Sequence, residues 1–136
     1  MSSNSRIATG ALVLALAVVP LACGGSSQPA FCGDEDNFRQ SIADFGDSLK
    51  TLDPPAIQVA GENLKASGVA MVDAARSDYP DETAAIRKSL DETVAGVNDL
   101  ETAKQQPAAI AALVSDAVLL KSNLDAFASA SSSDCN

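Results

Sequence analysis

From residue 35 to residue 127 the apolar positions recur at alternating spacings of three and four, and prolines interrupt the rhythm. Side chains three or four positions apart share a face of an α-helix, so each unbroken run predicts a helix with one buried stripe. The first run spans Glu35 to Leu52 and carries Phe38, Ile42, Phe45, Leu49 and Leu52. The second follows Asp53-Pro54-Pro55, where Asp suits an N-cap and Pro is preorganised for a first turn. Its stripe is Ile57, Leu64 and Met71 with Ala60 and Ala74, and it reaches about Arg76. The third begins at Asp78-Tyr79-Pro80-Asp81-Glu82 and carries Ile86, Leu90, Val94, Val97 and Leu100. The fourth follows Gln105-Gln106-Pro107 with Ile110, Leu113, Ala117, Leu120, Leu124 and Phe127. Ser129 to Asn136 is polar and is expected to be loose except at Cys135. Aromatics make up 4% of the chain and no run reads as a strand, which favours an aliphatic all-helical core. Asp47–Lys50, Glu62–Lys65, Asp73–Arg76 and Glu101–Lys104 each set an acid three residues before a base, the pattern of a solvated outer helix face.

The N-terminus obeys a different logic. Arg6 precedes the thirteen uncharged residues Ile7 to Val19, a run of signal-peptide length and short for the ~20 residues of a membrane span. Pro20-Leu21-Ala22-Cys23-Gly24-Gly25-Ser26-Ser27 follows. This junction resembles the lipobox of bacterial lipoproteins, in which a small residue precedes the Cys; Pro20 stands where that family usually carries an aliphatic residue. The resemblance covers about 25 residues and implies a lipid on Cys23, cleavage after Ala22, and attachment to the outer side of the cell membrane. Two acyl chains on one residue anchor stably where a single chain binds marginally. A plain secretory signal cut near Ala22, or an uncleaved membrane helix, would also fit the apolar run. The expected division is signal peptide over 1–22, lipidated Cys and tether over 23–33, and helical domain over 34–136.

Once the resemblance assigns Cys23 to the lipid, Cys32 and Cys135 remain, at either end of the helical region. In an exported protein an even remainder reads as a disulfide. Neither has a neighbouring Cys, and the chain has no His, so a redox or metal site is the weaker reading. A disulfide needs its Cα atoms within about 7 Å. Only an even number of antiparallel passes returns the chain to its starting end, since a third pass would leave the ends ~30 Å apart at 1.5 Å rise per residue. The bridge therefore predicts reversal at Pro107 and an up-down-up-down four-helix bundle.

Catalytic motifs are not apparent. Without His, neither a Ser-His-Asp arrangement nor an HExxH site can be built, and the eight glycines form no phosphate loop. Asp34-Glu35-Asp36 could hold a hard cation, but acids near a helix start are ordinary and the spacing is not that of an EF-hand. No cofactor or metal is expected. The formal charge is −9, and loss of Arg6 with the signal would leave eight bases against eighteen acids, a balance that disfavours nucleic acid.

Two features invite a functional reading. Gly61, Gly68 and Ala75 recur every seven residues, and mid-helix glycine costs ~1 kcal/mol, so the seam needs either a closely packed neighbour or room for a ligand. On the fourth helix Ala112, Leu119 and Ala126, with Val118 beside them, lie roughly opposite the core stripe and could dock a partner, although single exposed apolar residues are common. The expectation is a lipid-anchored, non-enzymatic helical module of the cell envelope that binds or assists other envelope proteins. Its composition is similar to that of small lipoproteins of high-GC Gram-positive bacteria. The alternative is a carrier or sensor holding a small apolar ligand within the bundle.

Overall fold

A computed structural model describes residues 28–136, so Cys23 and the expected signal segment lie outside the described residues. Four helices fill the described residues: α1 (Ala30–Thr51), α2 (Pro54–Ala75), α3 (Pro80–Asp99) and α4 (Gln106–Ser131), with a 3₁₀ turn at Leu100–Thr102. No strand occurs among the described residues. Proline marks every start. Pro29 immediately precedes α1, and Pro54, Pro80 and Pro107 occupy the first or second position of α2, α3 and α4. Its fixed φ and missing N–H cost nothing there. Asp53 occupies the N-cap of α2 without a side-chain capping bond.

The helices pack as a bundle, with contacts between α1 and α2, α2 and α3, α3 and α4, and α1 and α4. Gly61 faces Val97 while Gly68 faces Leu90, so α2 and α3 run in opposite senses. Gly96 faces Leu113, and Asn123 donates to Ser89 Oγ at 3.0 Å, which gives α3 and α4 opposite senses too. Cys32 and Cys135 form a disulfide with Cα atoms 5.6 Å apart. The packing is that of a four-helix bundle whose first helix and C-terminal residues are joined by the disulfide.

The core follows a stricter rhythm than apolarity alone suggests. Buried positions are Phe31, Glu35, Phe38, Ile42, Phe45 and Leu49 on α1, and Ile57, Gly61, Leu64, Gly68, Met71 and Ala75 on α2. On α3 they continue as Thr83, Ile86, Leu90, Thr93 and Val97, and on α4 as Ile110, Leu113, Leu120, Leu124, Phe127 and Ser131. Steps of three and four alternate along these stripes, with half-buried Ala117 between Leu113 and Leu120 and with Val72 and Ser89 buried beside the stripes, as in helices packed knobs into holes. The expected stripes need correction wherever a small or polar residue holds a core position. Thr93, not Val94, is fully buried, and Gly61 and Ala75 displace Ala60 and Ala74. Thr83, Ser89 and Thr93 are tolerated because their hydroxyls donate to carbonyls one turn back, at 2.7, 3.1 and 2.8 Å. Among the described residues no buried side-chain N or O lacks a partner.

The ends also differ from expectation. The helical body begins at Ala30 rather than residue 34, so Phe31, within the segment expected as tether, is 2% exposed in the core. Asp34, Glu35 and Asp36 consequently lie beyond the first turn of α1, where no acid sits. Leu52 leaves the stripe: it ends α1 in the left-handed region at φ 55° and is 66% exposed, because the reversal swings its side chain off the buried face. The C-terminal residues are held rather than loose. Ser131 is buried, the Cys135 amide donates to the Ser131 carbonyl at 3.2 Å, and Gln28 Nε2 donates to the Cys135 carbonyl at 2.8 Å. Beside the disulfide, Phe31, Tyr79 and Phe127 meet edge to face with centroids 5.3–5.7 Å apart. The Tyr79 hydroxyl donates to the Asp134 carboxylate, and that bond, followed by burial, pushes the Tyr79 phenol up to about 12.

Candidate binding groove

α1 and α4 are fastened at one end of the bundle. The disulfide joins the start of α1 to the residues after α4, and Arg39 Nη1 bonds Asp125 across the pair at 3.0 Å. Further along, the facing positions are small: Ala43 and Gly46 on α1, Ala111 and Ala117 on α4. Such short side chains leave space between the two helices unfilled. An open groove of about 790 Å³ results. Its floor is the outer edge of the core, at Ile42, Leu49, Ile110 and Leu124. Leu52 and Pro107 close its far end, and Val114 and Val118 stand along the α4 wall. Among the described residues the large exposed apolar side chains are Leu52, Val59, Val114, Val118 and Leu119, and three of these line the groove. Three of the five thus share one face rather than being scattered singly.

Charge is distributed unevenly around it. The lining includes Arg39, Lys50 and Lys121 but the single acid Asp47, whereas the whole chain carries nine bases and eighteen acids. Arg39 Nη2 also bonds Glu35 at 3.0 Å, and Lys121 Nζ bonds Asp125 at 2.6 Å. Lys121 first, and then Arg39, hold the Asp125 carboxyl below the usual carboxylate range. Glu35 and Asp125 in turn raise the Arg39 guanidinium. At the opposite end Lys50 pairs with Asp47 at 2.6 Å. Of the other outer-face pairs read from the sequence, Asp73–Arg76 closes at 3.7 Å, while Glu62–Lys65 and Glu101–Lys104 do not close within 4 Å among the described residues.

The residues singled out in the sequence lie in different places. Gly61, Gly68 and Ala75 are all buried on α2. A Cβ at Gly68 would stand 2.6 Å from Leu90 Cδ2 and 2.8 Å from Phe38 Cε2, so neighbouring side chains already occupy that space. A Cβ at Gly61 would stand 3.0 Å from Val97, and a mainly polar depression of about 320 Å³ lies over the outer side of this pair. Ala112, Val118, Leu119 and Ala126 are all exposed, and of them only Val118 lines the groove. The groove itself was not read from the sequence. Its one local signal was Gly46, a mid-helix glycine which, unlike Gly61, Gly68 and Gly96, has no atom within 4 Å of where its Cβ would be. Among the described residues no group of three or more His, Cys, Asp or Glu could hold a metal ion. α4 is long and apolar enough to cross a membrane by length and composition, with a mean hydropathy of 1.3 over its most apolar stretch, 22% of which is buried. No family model matches the chain, nor does any curated protein or solved structure.

Proposed function

We propose that this chain is an extracytoplasmic binding module of the cell envelope, held to the membrane by a lipid on Cys23, and that it binds through the α1–α4 groove rather than catalysing a reaction. The observation that carries the binding reading is the groove itself. Its 790 Å³ falls within the ~300–1,000 Å³ typical of ligand sites, and its wall is mainly apolar with a few charged groups at the edges. The anchoring reading rests on the lipobox-like junction at Ala22-Cys23-Gly24 and is supported by the Cys32–Cys135 disulfide, since such bonds persist in oxidising compartments outside the cytoplasm. With the tether at the disulfide end, the groove would run away from the membrane towards Leu52 and Pro107. This moves the expected ligand from the bundle interior to its flank, and it makes the small residues of α1 and α4, rather than those of α2, the determinants of binding.

The test has two arms. Intact-mass analysis of the membrane fraction should find diacylglyceryl mass on the fragment beginning at Cys23, and Cys23→Ser should abolish it; an unmodified wild-type fragment refutes the anchor. For the groove, a neutral solvatochromic dye such as Nile red should bind the folded full chain saturably. Gly46→Leu, which directs a side chain into open space, should remove that binding without lowering stability. Dye binding that survives Gly46→Leu lies elsewhere and refutes the groove.

A further inference from the structure

We infer that the Cys32–Cys135 end of the bundle is a redox-sensitive latch: when a dithiol reduces the disulfide, Ser132 to Asn136 come away from Tyr79 and Gln28 while the four helices stay folded. The inference is independent of what the groove binds.

The segment after α4 has little besides the disulfide to hold it. Ser132, Ser133, Asp134 and Asn136 are exposed, and Cys135 alone packs against the core. Two hydrogen bonds tie the segment to other parts of the chain. The hydroxyl of Tyr79, at the N-cap of α3, donates to the Asp134 carboxylate, and Gln28 Nε2 donates to the Cys135 carbonyl at 2.8 Å. Its other bonds run back about one turn, as where the Asp134 and Cys135 amides donate to the Ser131 carbonyl at 2.9 and 3.2 Å, and they last only while that turn lasts. An exposed hydrogen bond gains no more than the fixing of one residue's backbone costs. Two of them cannot order five residues without apolar burial, so the covalent bond decides whether the segment is docked or frayed.

The helices do not depend on the segment in the same way. Among the described residues no buried side chain lies beyond Ser131, so undocking removes nothing from the core stripes. Phe31 meets Phe127 and Arg39 bonds Asp125, and both contacts hold α1 to α4 without the disulfide. The bond itself is open to attack, because Cys32 and Cys135 are each only half-buried. One thiolate of the dithiol attacks a sulfur of the pair and displaces the other as a thiolate. The second thiol then resolves the mixed disulfide. Two electrons and two protons pass to Cys32 and Cys135, and the dithiol leaves as a disulfide. Tyr79 loses the Asp134 carboxylate and keeps Asp78 and Glu82 as its charged neighbours, while Gln28 loses the Cys135 carbonyl. The latch thus couples the redox state of one bond to the α2–α3 turn and to the chain entering α1.

Tyr79, the only tyrosine, reports the latch. Dithiothreitol should reduce the full chain without denaturant. At pH ~10.5 the oxidised chain, with its phenol at about 12, should be roughly 3% phenolate, and reduction towards the ordinary value of ~10 should raise that about twentyfold. Amide exchange near neutral pH should show Asp134 and Cys135 losing protection on reduction while the buried stripes of α1 to α4 keep theirs. Asp134→Ala separates the acid from the bond: in the oxidised chain it should lower the Tyr79 midpoint and leave the Cys135 amide protected. Unchanged phenolate and unchanged protection after reduction refute the latch. Reduction that proceeds only in urea, or that strips protection from the helices together with the segment, makes the bond a staple of the whole fold and overturns the inference. Loss of Cys135 protection in oxidised Asp134→Ala would overturn it too, by showing that the hydrogen bond rather than the disulfide docks the segment.

Discussion

Replacing Gly68 with Ala, alongside the same change at Gly46, measures how tightly the α2 seam is packed. Neither glycine has positive φ, so alanine can adopt the backbone at both sites. Each substitution gains ~1 kcal/mol in helix propensity. At Gly46 nothing lies within 4 Å of the new Cβ, and the gain should appear nearly whole, as about 0.5–1 kcal/mol of added stability. At Gly68 the new Cβ would stand 2.6 Å from Leu90 and 2.8 Å from the ring of Phe38. Those side chains are 1% and 0% exposed and cannot move aside into solvent. Overpacking of this kind costs about 1–3 kcal/mol. Gly68→Ala should therefore be destabilising by up to about 2 kcal/mol, and since the propensity gain cancels between the variants, they should differ by about 1–3 kcal/mol. Urea unfolding of the full chain, with the m-value checked for constancy, gives the difference directly. In a thermal scan each kcal/mol corresponds to about 4–8 °C for a domain near this size. If Gly68→Ala stabilises as much as Gly46→Ala, the seam has room for another methyl, the close-packing argument fails, and space for a ligand between α2 and its neighbours becomes credible again.

Reducing the Cys32–Cys135 bond, which spans 103 positions, should lower stability by up to about 4–5 kcal/mol through loop-closure entropy, while circular dichroism still reports a helical native state; loss of all helix on reduction would show that the core cannot hold the fold unaided. Tyr79 is the only tyrosine in the chain, so phenolate absorbance reports it alone and should titrate well above pH 10, towards about 12. Because its folded value is raised, its stabilising contribution is complete below pH 10 and is lost as pH rises through about 12; Tyr79→Phe should remove that part of the pH dependence, and an unshifted titration would refute the Asp134 bond. Leu119 is 49% exposed, so Leu119→Glu should change unfolding free energy by no more than about 0.5 kcal/mol; a large loss would mean that this face is covered.

Much of the fold was legible in the order of residues, for local reasons. Alternating spacings of three and four marked four helices, because 3.6 residues per turn bring those positions to one face. Prolines marked their starts, because a residue without an N–H is cheap only in a first turn. The pairing of Cys32 with Cys135 followed from cysteine number and position once the lipobox-like junction had claimed Cys23. Reading the core as a set of apolar residues was less successful. Thr93, Ser89 and Gly68 hold core positions because helix register, not hydropathy, decides which side faces inward, and a hydroxyl can be satisfied by the preceding turn. The placement of Leu52 depended on a left-handed residue that its own identity does not favour. The groove, finally, is a property of two helices separated by 54 residues of chain. Ala43, Gly46 and Ala111 are unremarked in the sequence, and Ala117 reads there only as part of the buried stripe, because small residues are equally at home in a tight seam and an open one. Gly68 and Gly46 show both outcomes for the same residue type. Which one applies is decided by the neighbour across the interface: Leu90 and Phe38 fill the space at Gly68, and no neighbouring side chain reaches the space at Gly46.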